Sequence, residues 1–364
     1  MCLRVLNNLN REYPITGRNL NWEKPVEVTI FDFPSGLNKK GLSDIKAREL
    51  CLDPKVVFKW CSKYASVVSM IGQEKKGFVP IDGMNSAGLV VNVLFNTSST
   101  YGKPKPFLKN SNLSVLRCSQ YILDMFKSVF DVCSYFKTSN LQLIKEDLTS
   151  VFFEEESKDK YLKSRVSLSI SDYTGQSAVI EIIKGNLKLH ISDEHQVVIN
   201  GHNYDDQLNM LRCWKYLWGH SIPEVKIPMY TVSGGISPTH SFERAAFLLK
   251  TSTAALTPER ILAQTRFIMQ SGSIPLLNNS MVNEKEFCTR LTFLSNHIAG
   301  IYYLFNPMNV MPIWLTFSRD VKTCSKLKLI NVSNRLEGVN NHAELQGDVQ
   351  FNLCQTIDPF ESRT

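Results

Sequence analysis

The chain lacks most of the short signatures that announce a chemistry. It has no H-E-x-x-H, no G-x-x-x-x-G-K-[ST], no G-x-G-x-x-G and no G-x-S-x-G. That removes the main support for a zincin, a P-loop nucleotidase, a dinucleotide-binding domain or a nucleophile-elbow hydrolase. Four S-x-x-K matches (Ser43/Lys46, Ser134/Lys137, Ser157/Lys160 and Ser325/Lys328) stand without the S-D-N and K-T-G companions that would give them meaning. There is no C-x-x-C among the nine cysteines, whose number is odd and spacing irregular, so zinc ribbons and thioredoxin-like sites are excluded and most thiols read as reduced packing residues. None of the seven histidines shows metal-ligand spacing, and no metal is expected. No apolar run approaches the roughly 18 residues of a membrane span. Arg4 and the asparagines at 7, 8 and 10 interrupt any signal-peptide core, so a cytoplasmic location is expected, or a periplasmic one if a leader was removed beforehand. The 41 basic and 34 acidic residues leave a net charge of +7, too mild and too unclustered to point to nucleic acid.

What the chain does have is an ordinary globular composition, 43% hydrophobic and 21% charged over 364 residues, enough for a full core without staples. Residues 26–33 (VEVTIFDF) alternate with period two, and 65–70 and 89–95 (LVVNVLF) are short, β-branched runs suited to buried strands. Asp82-Gly83-Met84-Asn85 between them reads as a turn. The apolar spacing over 112–136 predicts one long helix capped by Ser111 or Asn112. Residues 150–165 are charged and read as a surface excursion. A second strand-rich block (166–170, 177–183, 187–190, 196–199) reads as an antiparallel meander. Helices follow at 240–250 and 257–271, the latter opened by Thr257-Pro258 as N-cap and N1, and strands return at 289–294, 300–305 and 313–317. Grouped rather than alternating elements mean an α+β protein, with two sheets covered by helices in a single domain over 1–364.

One residue has an unusual address. Cys2 follows the initiator Met1. Removing Met1 would leave a thiol and a free α-amine on one residue. With the amine near about 8 and the thiol near about 8.5, the amine can take a proton while the sulfur attacks a carbonyl. Taken alone, a small second residue that merely tolerates Met removal is the simpler reading.

Several segments add to it. Met1-Cys2, ITGRNLNW (15–22), DGMNSAGLVVNVLF (82–95), SDYTGQSAVIE (171–181), VINGHNYDDQL (198–208), SPTHSFERAAFLL (237–249) and IYYLFNP (301–307) lie in order over nearly the whole chain. Together they resemble the choloylglycine hydrolase family of N-terminal-nucleophile hydrolases, which includes penicillin V acylases and conjugated bile acid hydrolases. The 82–95 run is the most specific piece. The resemblance implies a four-layer αββα fold with two antiparallel sheets between helical layers. It implies a cysteine amidohydrolase that cleaves a linear C–N amide bond of a small N-acyl compound, needs no cofactor, and assembles as a homotetramer as family members often do. Carried over by position, it makes Cys2 the nucleophile, Arg18 the cation beside the sulfur, and Asn200 and the backbone N–H of Phe95 the oxyanion donors, with the Phe95 ring facing the acyl pocket. Read locally, Arg18 is a surface salt-bridge residue, Asn200 a turn former before Gly201, and Phe95 a core strand residue.

Two positions depart from the family pattern. Asn21, expected among the catalytic residues, stands where the family usually has Asp, and Ser241 where it has a second active-site Arg; Arg244, also expected at the substrate pocket, lies one helical step on along a similar face but more naturally matches a separate family Arg. One negative and one positive charge are lost together, which is nearly neutral for a buried pair, whereas losing one alone is costly. These departures support an alternative expectation: a family member with weakened or no hydrolysis that binds acyl compounds.

Overall fold

The computed structural model describes residues 2–22, 26–74, 77–146, 165–220, 227–276, 287–309, 311–317, 322–329 and 345–361. The expected excursion at 150–165 falls almost wholly outside them.

Two large sheets form the middle of the molecule. In the seven-stranded sheet, the N-terminal strand Cys2–Asn7 lies between Val197–Ile199 and Ile15–Trp22, followed by Cys288–Asn296, Ile301–Phe305, Ile313–Thr316 and Gly347–Asp348. All its pairings are antiparallel except the last, which is parallel. The nine-stranded sheet is antiparallel throughout and runs Asn186–Ile191, Ser177–Ile183, Val166–Ser171, Val90–Phe95, Gly77–Asn85, Ser66–Gln73, Val28–Phe33, Ser325–Leu329, Cys354–Gln355.

Three apolar layers show how these sheets stack. One packs the nine-stranded sheet on helices Val115–Met125 and Val129–Thr138, through Val68, Met70, Val91, Ile122 and Val132. The second lies between the sheets and holds Cys2, Leu20, Ile30, Met84, Phe293 and Tyr302. The third packs the seven-stranded sheet, through Leu3, Val5, Ile15 and Leu294, on helices Tyr204–Leu217, Pro238–Thr251 and Pro258–Ser271. Helix, sheet, sheet, helix is the αββα order expected. Each fully buried Leu, Ile or Val contributes about 1.5–3 kcal/mol of transfer free energy, so three continuous layers hold the sheets face to face.

Four details correct the sequence reading. The helix predicted over 112–136 is two helices. Asn112–Ser114 is a short strand, Ser114 caps the first helix, and Phe126 leaves helical space at φ −123°, ψ 150°. The second helix starts anew because Ser128 Oγ accepts from Asp131 N–H and Asp172 Oδ2 accepts from Val129 N–H, satisfying its first free donors. Asp82-Gly83-Met84-Asn85 is strand, with the turn at Ser86–Gly88. Gly83 is needed there for clearance: a Cβ would meet Leu123 Cδ1 at 2.8 Å and the Val67 carbonyl oxygen at 2.9 Å. The meander holds for three strands, but Val197–Ile199 crosses to the other sheet and pairs with the N-terminal strand. Helix Tyr204–Leu217 had no counterpart in the pattern reading; Asn203 caps it by accepting from Asp206 N–H. The two later helices and the Thr257 cap fall where predicted.

Candidate active site

The N-terminal strand is interior to its sheet, so its first residue is fixed by pairing on both sides. Cys2 lies opposite Leu20, and Arg4 opposite Arg18. Strand alternation puts Cys2, Arg4, Arg18 and Leu20 on the face between the sheets. Arg18 is buried, and its Nη2 donates to Cys2 Sγ at 3.2 Å and to the Val93 carbonyl at 3.1 Å. Its guanidinium also lies 5.7 Å from the Phe293 ring centroid. Burial pushes the Cys2 thiol up, but the Arg18 charge, the amino-terminal charge and hydrogen bonds from Asn21 N–H and Arg18 together outweigh it, so the thiol sits below its ordinary value.

Two arginines directly opposite each other between sheets need a counter-charge. Asp82 supplies one: it is buried, and its charge acts on both Arg18 and Arg4. Tyr302 OH donates to Asp82 Oδ1 at 2.9 Å, and Asn92 Nδ2 donates to Oδ2 at 2.8 Å. Burial still pushes the Asp82 carboxyl up to about 6, against the pull of Arg18, Asn92 and Tyr302. Arg4 is lowered to about 10 by burial, and its Nη1 donates to the His195 carbonyl at 3.0 Å.

Asn200 and Phe95 come from different sheets and meet. Phe95 N–H donates to Asn200 Oδ1 at 3.0 Å, and Gly201 N–H donates to the Phe95 carbonyl at 3.1 Å. Asn200 N–H in turn donates to the Cys2 carbonyl at 3.3 Å. Gly201 sits at φ +101°, a conformation that favours glycine and lets the chain turn away directly after Asn200. The carboxamide is therefore oriented through Oδ1, and its Nδ2 has no protein partner among the described residues.

Cys2, Arg18, Phe95 and Asn200 all line one cleft of about 590 Å³, open solvent at its mouth included. The rest of its wall is apolar: Leu20, Trp22, Ile71, Val79, Pro80, Ile81, Val93, Leu94, Val115, Leu116 and Val166. A bulge in the pairing of Ser66–Gln73 with Gly77–Asn85 leaves Ile81 unpaired, which accommodates Pro80 in a strand and turns that stretch onto the cleft.

Other expected site residues lie elsewhere. Ser241 is buried on the helix Pro238–Thr251. It is separated by Gly272 from Leu3, whose side chain belongs to the layer under the helices and not to the layer that holds Cys2. Arg244 donates to the carbonyls of Ser271 (2.8 Å), Ser233 (3.1 Å) and Gly235, and to Ser241 Oγ at 3.5 Å. It pins the chain around 233–235 to the end of the neighbouring helix. Neither residue is among those that line the cleft holding Cys2; the two share a helix face, and that face packs within the helical layer. Asn21 adjoins the site by its backbone, while its side-chain Oδ1 accepts from Thr289 Oγ1 at 2.8 Å. The sequence reading missed Asp82, Tyr302 and Trp22. An acidic residue inside an apolar strand run was the available signal for Asp82.

Among the described residues no group of three His, Cys, Asp or Glu could hold a metal ion, and no helix is long and apolar enough to cross a membrane. Five of the nine cysteines, Cys2 among them, are buried.

Comparison with known proteins places this arrangement. Residues 2–315 match the family model of linear amide C-N hydrolases, choloylglycine hydrolase family. A penicillin V acylase of Pectobacterium atrosepticum is 32% identical over 242 residues, 66% of this chain and 57% of that protein, so the match spans little more than half of the relative's length. Among solved structures, penicillin V acylase from Agrobacterium tumefaciens superposes with a TM-score of 0.76 at 23% identity, covering 99% of both chains. A mutant conjugated bile acid hydrolase from Clostridium perfringens superposes with a TM-score of 0.70 at 20% identity, covering 90% of this chain and 97% of that one. The chain belongs to the choloylglycine hydrolase family of linear amide C–N hydrolases.

Proposed function

We propose that the protein is a cysteine amidohydrolase that cleaves the C–N bond of a small N-acyl amide carrying a bulky, uncharged acyl group. The observation that carries this reading is the buried Cys2 sulfur, 3.2 Å from Arg18 Nη2 and opening onto an apolar cleft. Among the described residues of that cleft, Arg18 is the only charged side chain other than a Cys2 thiolate, and its Nη2 donates to the sulfur and to Val93. An acyl group entering there would meet hydrocarbon and the Trp22 and Phe95 side chains. Penicillin V-like and bile acid-like acyl groups both meet that description.

In this mechanism Met1 is removed, and the freed α-amine of Cys2 takes the thiol proton. The sulfur attacks the amide carbon, forming a C–S bond and an oxyanion. Phe95 N–H and Asn200 Nδ2 converge on the oxyanion, the Phe95 donor sharing its hydrogen with Asn200 Oδ1. Donors preorganised in this way can be the largest single contribution to catalysis. The C–N bond then breaks, and the α-ammonium returns its proton to the leaving amine. Water, deprotonated by the same amine, attacks the thioester and releases the carboxylic acid and the thiol. No metal or organic cofactor enters.

The test is amine release from penicillin V, glycine- and taurine-conjugated bile acids and N-acyl homoserine lactones, using protein with Cys2 as its first residue beside a Cys2→Ala variant. Release that depends on Cys2 is expected from at least one member. If none is cleaved by protein shown to lack Met1, the catalytic reading falls and the acyl-binding alternative motivated by Asn21 and Ser241 takes its place.

A further inference from the structure

The two proposed oxyanion donors sit on segments that reach the site from different sheets. Phe95 ends the strand Val90–Phe95 of the nine-stranded sheet, whereas Asn200 follows Val197–Ile199 of the seven-stranded sheet. Their relative position is therefore set by whatever ties those segments together. Beyond the direct contacts, one side chain reaches both. Glu181, 1% exposed on the strand Ser177–Ile183, accepts through a single oxygen, Oε1, from Asn96 Nδ2 at 2.9 Å and from Tyr204 N–H at 3.0 Å. Asn96 is the residue after Phe95, and Tyr204 opens the helix four residues after Asn200. The other oxygen, Oε2, lies 2.9 Å from His190 Nε2. The His190 and Tyr204 rings meet edge to face with centroids 5.2 Å apart, and His195 packs on the same tyrosine.

We infer that Glu181 is a positioning residue for amide hydrolysis: its carboxylate clamps the Phe95–Asn96 segment to the start of the Tyr204 helix and so fixes the distance between the Phe95 N–H and the Asn200 carboxamide. The inference rests on the proposed function above. Glu181 does not line the cleft, so it acts through the residues that do. A carboxylate suits the task because one oxygen can accept two converging N–H donors while the other is held by His190. Loss of the clamp frees two segments that share only short-range contacts: Phe95 N–H to Asn200, Gly201 N–H to Phe95, and Thr97 Oγ1 to the Gly201 carbonyl at 2.6 Å. Misplacing a catalytic group by about 1 Å can cost on the order of 100-fold in rate.

The experiment compares Glu181→Ala and Glu181→Gln with wild type, using the substrate found in the amine-release panel. Three readouts are taken: kcat, KM, and the rate of Cys2 alkylation by iodoacetamide. Glu181→Ala is expected to lower kcat about 10- to 100-fold with KM within about twofold and alkylation unchanged. Glu181→Gln keeps an acceptor oxygen for both donors and is expected to recover most of kcat. Should Glu181→Ala fail to fold, Asn96→Ala removes one arm of the clamp, with the same pattern expected at smaller size. Unchanged kcat in a folded variant overturns the inference and leaves the amidase reading standing. A parallel fall in alkylation, or no rescue by Gln, also overturns it, because the defect is then general. A wild-type protein without Cys2-dependent release overturns the amidase reading itself, and the inference with it.

Discussion

His297 offers a measurable link between burial and stability. It follows the strand Cys288–Asn296 and is only 4% exposed. Its Nδ1 lies 2.6 Å from the Gly88 carbonyl, which can only accept, so Nδ1 carries the proton. Nε2 then accepts from Thr16 Oγ1 at 2.8 Å, and Thr16 accepts from Ser171 Oγ at 2.7 Å. This neutral ring joins the seven-stranded sheet to the turn just before the strand that ends in Phe95. Burial pushes the imidazole down to about 4, with Gly88 and Asp172 pulling weakly the other way. Between about 6.5 and 4 the unfolded chain binds a proton that the folded chain refuses, so stability is present in full above 6.5 and is lost as pH falls. Each tenfold difference in proton affinity is worth about 1.4 kcal/mol, and integrating from pH 7.5 to pH 4.5 gives a loss of about 2.5 kcal/mol from this residue. His297→Gln cannot titrate, yet can still donate to Gly88. Urea unfolding of both proteins at several pH values, extrapolated to water, isolates the contribution because other groups titrate alike in both. The stability advantage of wild type over His297→Gln should shrink by about 2.5 kcal/mol between pH 7.5 and 4.5. A difference that stays constant with pH would refute the reasoning.

Two further outcomes are expected. Arg18→Met removes the cation beside Cys2 and leaves the burial penalty unopposed by it; alkylation of Cys2 by iodoacetamide at pH 7 should slow at least about 10-fold, with the rise in rate displaced to higher pH, and an unchanged pH profile would mean that Arg18 does not set the thiolate. Gly83→Ala places a Cβ 2.8 Å from Leu123 and 2.9 Å from a backbone oxygen; it should cost about 1–3 kcal/mol in urea unfolding, and a neutral result would show that the Val115–Met125 helix can lift from the sheet.

Much of the fold was legible because strands and helices bury opposite periodicities. Residues 28–33, 66–73 and 90–95 alternate or run apolar, and they are strands buried on both faces. Thr257-Pro258 carries its own start signal and opens a helix. What failed was decided by tertiary contact. Phe126-Lys127-Ser128 contains neither Gly nor Pro, and its only local mark of a break is Ser128, the cap of the second helix; Asp172, 43 residues away, adds a second acceptor there. Asp82-Gly83 looks like a turn by composition, yet glycine is there for helix clearance. Val197–Ile199 has the pattern of a meander strand, and only its partner, the N-terminal strand, shows that it belongs to the other sheet.

The site was legible where position along the chain carries the chemistry. Cys2 drew attention because removal of Met1 would place an α-amine on a thiol-bearing residue, and Arg18 and Asn200 sit in segments whose order resembles a known family. For Ser241 and Arg244 a three-residue step fixes that two side chains share a face, not what that face meets, and here it packs within the helical layer. Asp82 and Glu181 were missed for a deeper reason. A lone carboxylate in a turn or a strand reads as a solvent-facing position, since burying it unpaired is costly. Both are tolerated because their partners arrive from far along the sequence: Tyr302 is 220 residues from Asp82, and Asn96 is 85 residues from Glu181. Asp82 offsets the paired arginines, and Glu181 joins Asn96 to Tyr204. Cys2 and Arg18 meet through neighbouring strands, whereas Phe95 and Asn200 meet across 105 residues, a pairing that only the folded chain displays.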